Sequence, residues 1–237
     1  MRLSTRQTPK IIPLAFALCT LVLLGCPDDK KKSTEPMVED TAHYRVTFDA
    51  SWSAETHPQD FPATAHWSGL IGATHNSDVR FWQEGSLASL GIKDMAELGA
   101  KILFSNEIVD AISLGTAQYK LSGEGIAHSP GMVSLDFEIS RDFPLVTLTS
   151  MVAPSPDWFV GVSGISLLDG DDWVDERVAE LHAYDAGTDD GETYQAANAV
   201  SDPFVPIRQI EIEPFLVAGV VPSMGTFTFT RMTDESR

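Results

Sequence analysis

Cysteine is nearly absent from the sequence. The 237 residues include only Cys19 and Cys26, and both lie close to the N-terminus. The remainder of the chain therefore has no disulfide and no thiolate metal site. We expect its stability to come from side-chain packing or from an ion held by oxygen ligands.

Basic residues are also scarce. The sequence has 16 Lys and Arg residues against 34 Asp and Glu residues, which gives a net charge of −18. An excess of acid repels a phosphate backbone, so the composition argues against nucleic-acid binding. It argues equally against adhesion to an anionic bilayer, and any attachment to a membrane must then use a lipid anchor.

A run long enough to span a membrane is lacking as well. The apolar segment at residues 11–25 contains Pro13, and a helix of that length reaches only about 22 Å, less than the roughly 30 Å of the hydrocarbon core. Three basic residues precede it, Arg2, Arg6 and Lys10. This layout predicts a secretory signal peptide over residues 1–25.

The end of this segment, Leu23-Leu24-Gly25-Cys26, resembles the lipobox of bacterial lipoproteins, in which the cysteine is lipidated and becomes the new N-terminus. The resemblance implies a lipidated Cys26 and a place in the bacterial cell envelope, on the periplasmic or cell-surface face of the outer membrane. The outer membrane is our expectation, although the lipobox by itself does not distinguish it from the inner membrane. In the alternative interpretation the protein is secreted, cleaved elsewhere, and Cys26 is unmodified.

Residues 26–42 have the composition of a linker, because they are charged, include proline and show no apolar periodicity. From residue 43 onward the apolar residues alternate with polar ones, as they do in half-buried strands. We therefore predict a linker at 26–42 and one domain at 43–233. Strand patterns are found at 44–52, Val133–Ile139, Leu145–Val152, Trp158–Leu168, Trp173–Leu181, Ile207–Glu213 and Thr226–Met232.

So many successive strands predict a mainly β fold, an antiparallel β-sandwich with one or two short helices. The helices are expected where apolar residues recur at helical spacing, at Ile92–Leu98 and Ser105–Ile112, with Ser105 as an N-cap.

Several uncommon motifs occur in a fixed order, and together they resemble the spondin N-terminal domain family, whose animal members include F-spondin and mindin. The resemblance implies a β-sandwich and an adhesion or ligand-binding module without catalysis, whose partner is an unidentified protein or glycan. The motifs are the segment from Trp52 to Asn76, FWQEGSLAS at 81–89, MAELG at 95–99, PSPDWFVG at 154–161 and YDAGTDDG at 184–191.

Two of these motifs contain acidic residues that could meet. Asp157 begins a predicted strand, and Asp185 and Asp189 lie in a glycine-containing turn, so their carboxylates could supply the hard oxygen ligands that Ca²⁺ prefers. From the residues alone, turn residues that cap their own backbone are an open alternative. The resemblance to spondin domains implies all three as calcium ligands. A metal-assisted hydrolase acting on envelope glycan or lipid at the same acids is the alternative function.

Other candidate sites are weaker. Asp169, Asp171 and Asp172 surround Gly170 and predict a solvated hairpin turn. His66 and His75 are predicted to be buried residues that fix loops, because they, like His57, lack the spacing of a zinc site.

The remaining motifs are not informative about catalysis. Ser163 lacks the second glycine of a nucleophile elbow, since Ile165 stands in its place. Among the tryptophans, Trp52, Trp158 and Trp173 are expected to pack in the core or at a sheet edge, and Trp82 is the candidate for exposure.

Overall fold

The structure is a computed structural model and describes residues 39–233. The predicted signal peptide, Cys26 and the linker as far as residue 38 lie outside the described residues. Strand β1 begins at Thr41, two residues before the predicted start of the domain. Glu39 already contacts the domain, since its carbonyl accepts hydrogen bonds from Trp173 Nε1 at 2.9 Å and from Arg141 Nε at 2.9 Å.

Strands dominate the described part, and two helices lie between the third and fourth strands. In chain order the elements are β1 (Thr41–Ala50), β2 (His66–Trp67), β3 (Ile71–His75), α1 (Leu90–Leu98), α2 (Ile102–Ser113), β4 (Ala117–Ser122), β5 (Gly131–Ser140), β6 (Leu145–Ala153), β7 (Trp158–Ser166), β8 (Leu168–Asp169), β9 (Asp172–Trp173), β10 (Glu176–Leu181), β11 (Tyr184–Asp185), β12 (Arg208–Gln209) and β13 (Gly225–Arg231).

All strand pairs are antiparallel and form two main sheets. One sheet has four strands in the order β10-β13-β1-β5. The other has seven, with the path β12-β11-β7-β6-β3-β4 and with β2 beside β6. The separate pair β8-β9 is a small hairpin. The predicted antiparallel β-sandwich with short helices is confirmed.

The core between the two sheets follows from the period-two pattern of β1. Its inward residues Tyr44, Val46 and Phe48 are fully buried and pack in one cluster with residues such as Phe227 of β13 and Leu148 of β6. Burying one such large apolar side chain contributes about 2 kcal/mol. This cluster therefore fixes which face of each sheet turns inward.

The helices cover the opposite face of the seven-stranded sheet. Met95 of α1 and Phe104 of α2 are fully buried and share a second apolar cluster with Ile71, Met151 and Phe159 from the sheet. Because consecutive strand residues point to opposite faces, Phe159 joins this cluster and Val160 joins the first one. The domain accordingly has three layers.

Some local predictions were wrong. Helix α2 begins at Ile102 with Lys101 at its N-cap, so Ser105 lies inside the helix rather than capping it. Helix α1 begins earlier than predicted, at Leu90, because the Ser89 side chain caps it by accepting a hydrogen bond from Ile92 N at 3.1 Å.

Four strands escaped the pattern analysis, namely β2, β3, β4 and β11, and one predicted strand is much shorter. Strand β3 is buried along its whole length, so it lacks the alternation of a half-buried strand. Strand β4 was not predicted either. Of the predicted strand at 207–213 only Arg208–Gln209 pairs, and the predicted strand at 173–181 is interrupted between β9 and β10. Within residues 39–233, neither helix combines the length and the apolar character needed to cross a membrane.

Candidate functional site

Asp157 lies immediately before β7 and organises the turn that follows β11. Its side chain is fully buried. Oδ2 accepts hydrogen bonds from the backbone N–H of Thr188 at 2.7 Å and of Asp189 at 3.1 Å, and from Thr188 Oγ1 at 3.3 Å. One carboxylate oxygen thus holds the middle of the turn at residues 185–191, which we call the packed turn.

The second carboxylate oxygen of Asp157 differs from the first in its hydrogen bonding. Oδ1 is buried and has no hydrogen-bond partner in the described part of the chain. Burial, and next the negative charge of Asp185, raise the pKa of Asp157 to about 6, although the N–H groups of Thr188 and Asp189 act in the opposite direction. An ionised Asp157 is therefore destabilised by its surroundings unless positive charge is brought to it.

Asp185 shares this environment and already has one cationic partner. It is the last residue of β11, where it pairs in register with Trp158 of β7 and with Arg208 of β12. Oδ1 accepts a hydrogen bond from Gly187 N at 2.7 Å, and Oδ2 accepts one from Arg208 Nη2 at 2.9 Å. The guanidinium compensates the charge from the outer side, since the Arg208 side chain is 65% exposed.

Asp189 directs its carboxylate at backbone amides. It is only 5% exposed. Oδ1 accepts a hydrogen bond from Gly191 N at 2.8 Å, and Oδ2 accepts one from Ala199 N at 3.1 Å. These contacts resemble those of a turn-capping residue, which is the alternative that the sequence left open.

The predicted calcium ligands come together only in part. Asp157 and Asp185 are close enough to repel each other. In the part of the chain that the structure describes, however, no three acidic, histidine or cysteine side chains form a group arranged to hold a metal ion.

The pair formed by Asp157 and Asp185 nevertheless fits a cation. Asp157 Oδ1 is a buried acceptor without a donor within the described residues. Leaving such an oxygen unpaired lowers the stability of the fold unless a proton, a hydrogen-bond donor or a cation reaches it. Hard carboxylate oxygens are the ligands that Ca²⁺ prefers. Asp189 remains a predicted third ligand.

A cleft of about 730 Å³ opens beside the packed turn. Asp185, Asp189 and Arg208 line it, together with the rings of Trp158 and Tyr194. The sequence analysis missed Arg208 and Tyr194. Arg208 lies at the cleft because the two-residue strands β11 and β12 pair. Tyr194 lies there because it packs on Trp158, with the two ring centroids 5.3 Å apart.

The acidic group at residues 169–172 lies in a hairpin turn, as the sequence predicts. Asp169 and Asp172 are the ends of the β8-β9 hairpin, and Asp169, Gly170, Asp171 and Asp172 are all exposed. In the part of the chain that is described, these three carboxylates make no hydrogen bond. The prediction of a solvated hairpin turn is confirmed.

The predictions for His75 and His66 have different outcomes. His75 is buried, and its ring nitrogens contact the carbonyl of Asn76 at 2.7 Å and Thr147 Oγ1 at 2.8 Å, so it fixes a loop as expected. The prediction for His66 was wrong about burial, although its Nδ1 does contact the carbonyl oxygen of Thr64 at 2.7 Å. His66 is exposed, because β2 turns it outward and Trp67 inward.

The tryptophan and serine positions complete the comparison with the sequence. Trp52, Trp158 and Trp173 are buried, as predicted. Trp82 was predicted to be exposed but is 6% exposed, because it packs edge-on against Phe159 and Tyr184 with centroid distances of 5.0 Å each. The Ser163 hydroxyl donates to the carbonyl of Trp82, which is a structural contact.

Comparisons with known proteins agree with the motifs. The family model described as Spondin_N matches residues 42–215. Spondin-1 of Gallus gallus is 39% identical over 176 residues, which are 72% of this chain and 22% of the relative. Spondin-2 of Homo sapiens is 35% identical over 173 residues, which are 71% of this chain and 52% of the relative. The matched region is therefore about a fifth to a half of the length of these relatives.

Proposed function

Because the chain belongs to the spondin N-terminal domain family, we propose that it is a lipid-anchored, calcium-binding module for adhesion or ligand binding in the bacterial cell envelope. Family membership supports the general role of an adhesion or ligand-binding module. The calcium site, the anchor and the location on the periplasmic or cell-surface face of the outer membrane are the finer parts of the proposal.

The observation that carries the calcium site is the unpartnered Oδ1 of the fully buried Asp157 beside Asp185. We propose these two residues as the principal ligands, with Asp189 as the third. A bound divalent ion supplies positive charge where two carboxylates repel each other. Asp157 Oδ2 would go on holding the backbone of Thr188 and Asp189 while Oδ1 faces the ion.

Calorimetric titration of the full chain with calcium chloride tests this site. We expect binding at or below millimolar concentration, and we expect Asp157→Asn with Asp185→Asn to abolish it. The matched control, Asp169→Asn with Asp171→Asn, removes the same charge from the solvated hairpin and should bind as the wild type does. Absence of heat at millimolar calcium, or loss of binding in the control alone, would contradict the proposal.

Asp189 needs a separate variant. Because both of its oxygens accept backbone N–H groups, Asp189→Asn distinguishes a ligand from a turn-capping residue. If Asp189 is a ligand, replacing it should weaken calcium affinity. If affinity is unchanged and only the melting temperature falls, Asp189 is a capping residue and the site consists of the other two carboxylates.

Lipid anchoring rests on the lipobox at residues 23–26. Several acyl chains give stable attachment to a membrane, so we expect the wild type to stay with the membrane fraction through a salt wash. Cys26→Ala should keep its signal peptide or appear in the soluble fraction, whereas Cys19→Ala should behave as the wild type. Wild-type protein that is soluble and begins at a residue other than Cys26 would refute the anchor.

The geometry gives little support to the hydrolase alternative. A general acid or base must reach the proton that it transfers. Asp157 is fully buried and does not line the cleft, and both oxygens of Asp189 are held by backbone amides.

A further inference from the structure

The cleft beside the packed turn has an unbalanced charge. Its lining includes seven acidic side chains but only one basic residue, Arg208. Five of the acids lie outside the proposed calcium site. They are Asp60, Asp190, Glu192, Glu211 and Glu213. All five are exposed, so a ligand can reach them without rearrangement of the core, although Glu213 already accepts a hydrogen bond from Gln59 Nε2 at 2.7 Å and Asp190 accepts one from Ser201 Oγ at 2.6 Å.

The same cleft has an apolar wall. Ile212 is 65% exposed and Val205 is 40% exposed, and both line the cleft. These side chains add no binding free energy for an inorganic cation, because the hydrophobic effect requires apolar surface on both partners. The combination of carboxylates and exposed aliphatic groups suits an organic cation with an apolar portion.

Arg208 shows how a guanidinium group of the chain meets one carboxylate of the cleft. Asp185 Oδ2 accepts hydrogen bonds from both Nη2, at 2.9 Å, and Nε, at 3.3 Å, of the guanidinium. Both guanidinium nitrogens share this one oxygen, because Asp185 Oδ1 already accepts a hydrogen bond from Gly187 N; a carboxylate with two unoccupied oxygens can accept a planar guanidinium at two points. Among the other carboxylates of the cleft, those of Asp60, Glu192 and Glu211 make no hydrogen bond within the described residues and can receive a guanidinium or ammonium group from outside.

The cleft is large enough to receive a few side chains of a partner. Its volume of about 730 Å³ falls within the roughly 300–1,000 Å³ of ligand pockets. A nucleic acid or an anionic glycan would be repelled by the acidic lining. Charge complementarity therefore favours a basic partner.

We propose that this cleft binds a segment of a partner protein in which Arg or Lys side chains alternate with aliphatic ones. The basic groups pair with Glu211, Glu213 and Glu192, and the aliphatic groups cover Ile212. This assignment rests on the proposed role of the domain as a ligand-binding module, and it names the chemical class of the partner.

Fluorescence anisotropy with a defined probe tests the proposal. The probe is a labelled hexapeptide of alternating leucine and arginine, titrated with the full chain at 0.15 M salt, where diffuse attraction between distant charges is screened. We expect saturable binding, and no binding of the corresponding leucine–glutamate peptide. Failure of the arginine peptide to bind at millimolar chain, or equal binding of both peptides, overturns the proposal.

Matched variants separate the cleft from the acidic surface as a whole. Glu211→Gln with Glu213→Gln should weaken binding about tenfold, since each lost ion pair is worth up to about fivefold. Glu176→Gln with Glu180→Gln removes the same charge from exposed positions of β10 and should weaken binding less than twofold. Equal effects of the two pairs would show nonspecific attraction and overturn the assignment.

The apolar wall is tested in the same assay. Ile212→Ser should weaken binding severalfold, whereas Val178→Ser, which changes a 53% exposed residue on β10, should leave it unchanged. Melting temperatures of all variants identify any that fail to fold. An Ile212→Ser variant that is folded and binds as the wild type does shows that the apolar wall is not used and refutes a mixed basic and aliphatic ligand.

Titrations in calcium and in chelator keep this proposal separate from the calcium site. Glu211, Glu213 and Ile212 are not among the proposed calcium ligands. If the peptide binds the cleft but calcium produces no heat, the calcium proposal fails and the cleft assignment stands. If calcium binds and the peptide does not, the cleft assignment fails and the calcium proposal stands.

Discussion

Two acidic turns of similar composition have different surroundings. The packed turn at 185–191 and the hairpin turn at 169–172 each contain three aspartates and at least one glycine with positive φ, Gly187 at 74° and Gly170 at 61°. In the packed turn Thr188 is fully buried and Asp189 nearly so. In the hairpin turn all four residues are exposed.

The difference arises from neighbouring segments rather than from the turns themselves. Asp157 supplies a buried acceptor to the packed turn, and the segment at 199–205 covers it, since Ser201 N donates to the carbonyl of Thr188 at 3.0 Å and Val205 N donates to that of Gly187 at 2.9 Å. Among residues 39–233, no comparable segment covers the hairpin turn. A carboxylate therefore becomes a candidate ligand through the backbone packed around it, which composition does not reveal.

Alanine at the two glycines should show the largest contrast. A Cβ at Gly187 would lie 2.1 Å from the carbonyl oxygen of Val205, whereas one at Gly170 would meet nothing within 4 Å. We expect Gly187→Ala to lower the free energy of unfolding by about 4 kcal/mol, through a backbone clash added to the strain of positive φ. Gly170→Ala should cost only the strain, about 1 kcal/mol.

Denaturant unfolding of both variants measures these losses. Equal losses would mean that the packed turn is as free to move as the hairpin turn, and the contrast between them would be lost.

The pH dependence of stability in chelator should show the buried charge of Asp157. Its folded pKa of about 6 lies above the ordinary value of 3.8, so the folded state binds the proton more tightly. The contribution of Asp157 to stability is therefore greatest at low pH and is lost as pH rises from 3.8 through 6, by about 3 kcal/mol in total.

The measurement is the difference in unfolding free energy between the wild type and Asp157→Asn from pH 4 to 7. His57, whose pKa is lowered to about 4 by burial, destabilises both proteins as pH falls below 6.5 and cancels in the difference. A difference that does not change with pH would contradict the assigned environment of Asp157.

Arg208→Gln should have the smallest effect. The ion pair with Asp185 is largely exposed on the arginine side, so its loss in chelator should cost about 0.5–1 kcal/mol. With calcium bound, the charge of Asp185 is compensated by the ion, and the loss should nearly vanish. Arg45→Gln, which breaks the exposed pair with Asp136, should cost the same with and without calcium. An equal cost of Arg208→Gln in both conditions would place the ion away from Asp185.

Much of the fold could be predicted from the sequence because half-buried strands repeat every two residues. Strand β1 shows this pattern, with five alternate residues buried between Ala42 and Ala50. Strand β3 could not be predicted in this way, since all five of its residues are buried and Ile71 and Ala73 pack in the cluster that the helices cover. Trp82 was misassigned for a related reason, because contacts with Phe159 and Tyr184, distant in sequence, bury it.

The candidate site could be predicted only as a set of residues. The family motifs identified Asp157, Asp185 and Asp189, but the hydrogen bonds that give Asp157 one occupied and one orphaned oxygen depend on the fold of the packed turn. The approach of Arg208 depends on the register between β11 and β12. The acidic cleft lies between chain segments that sequence patterns do not connect.

The thermal stability of the full chain, compared in calcium and in chelator, tests the central claim most directly. An ion that binds only the folded state contributes about 2.7 kcal/mol at a hundredfold excess over its Kd, which should raise Tm by several degrees. We predict this rise in the wild type and in Asp171→Asn, and none in Asp157→Asn. A rise of the same size in Asp157→Asn, or no rise in the wild type, would contradict the account.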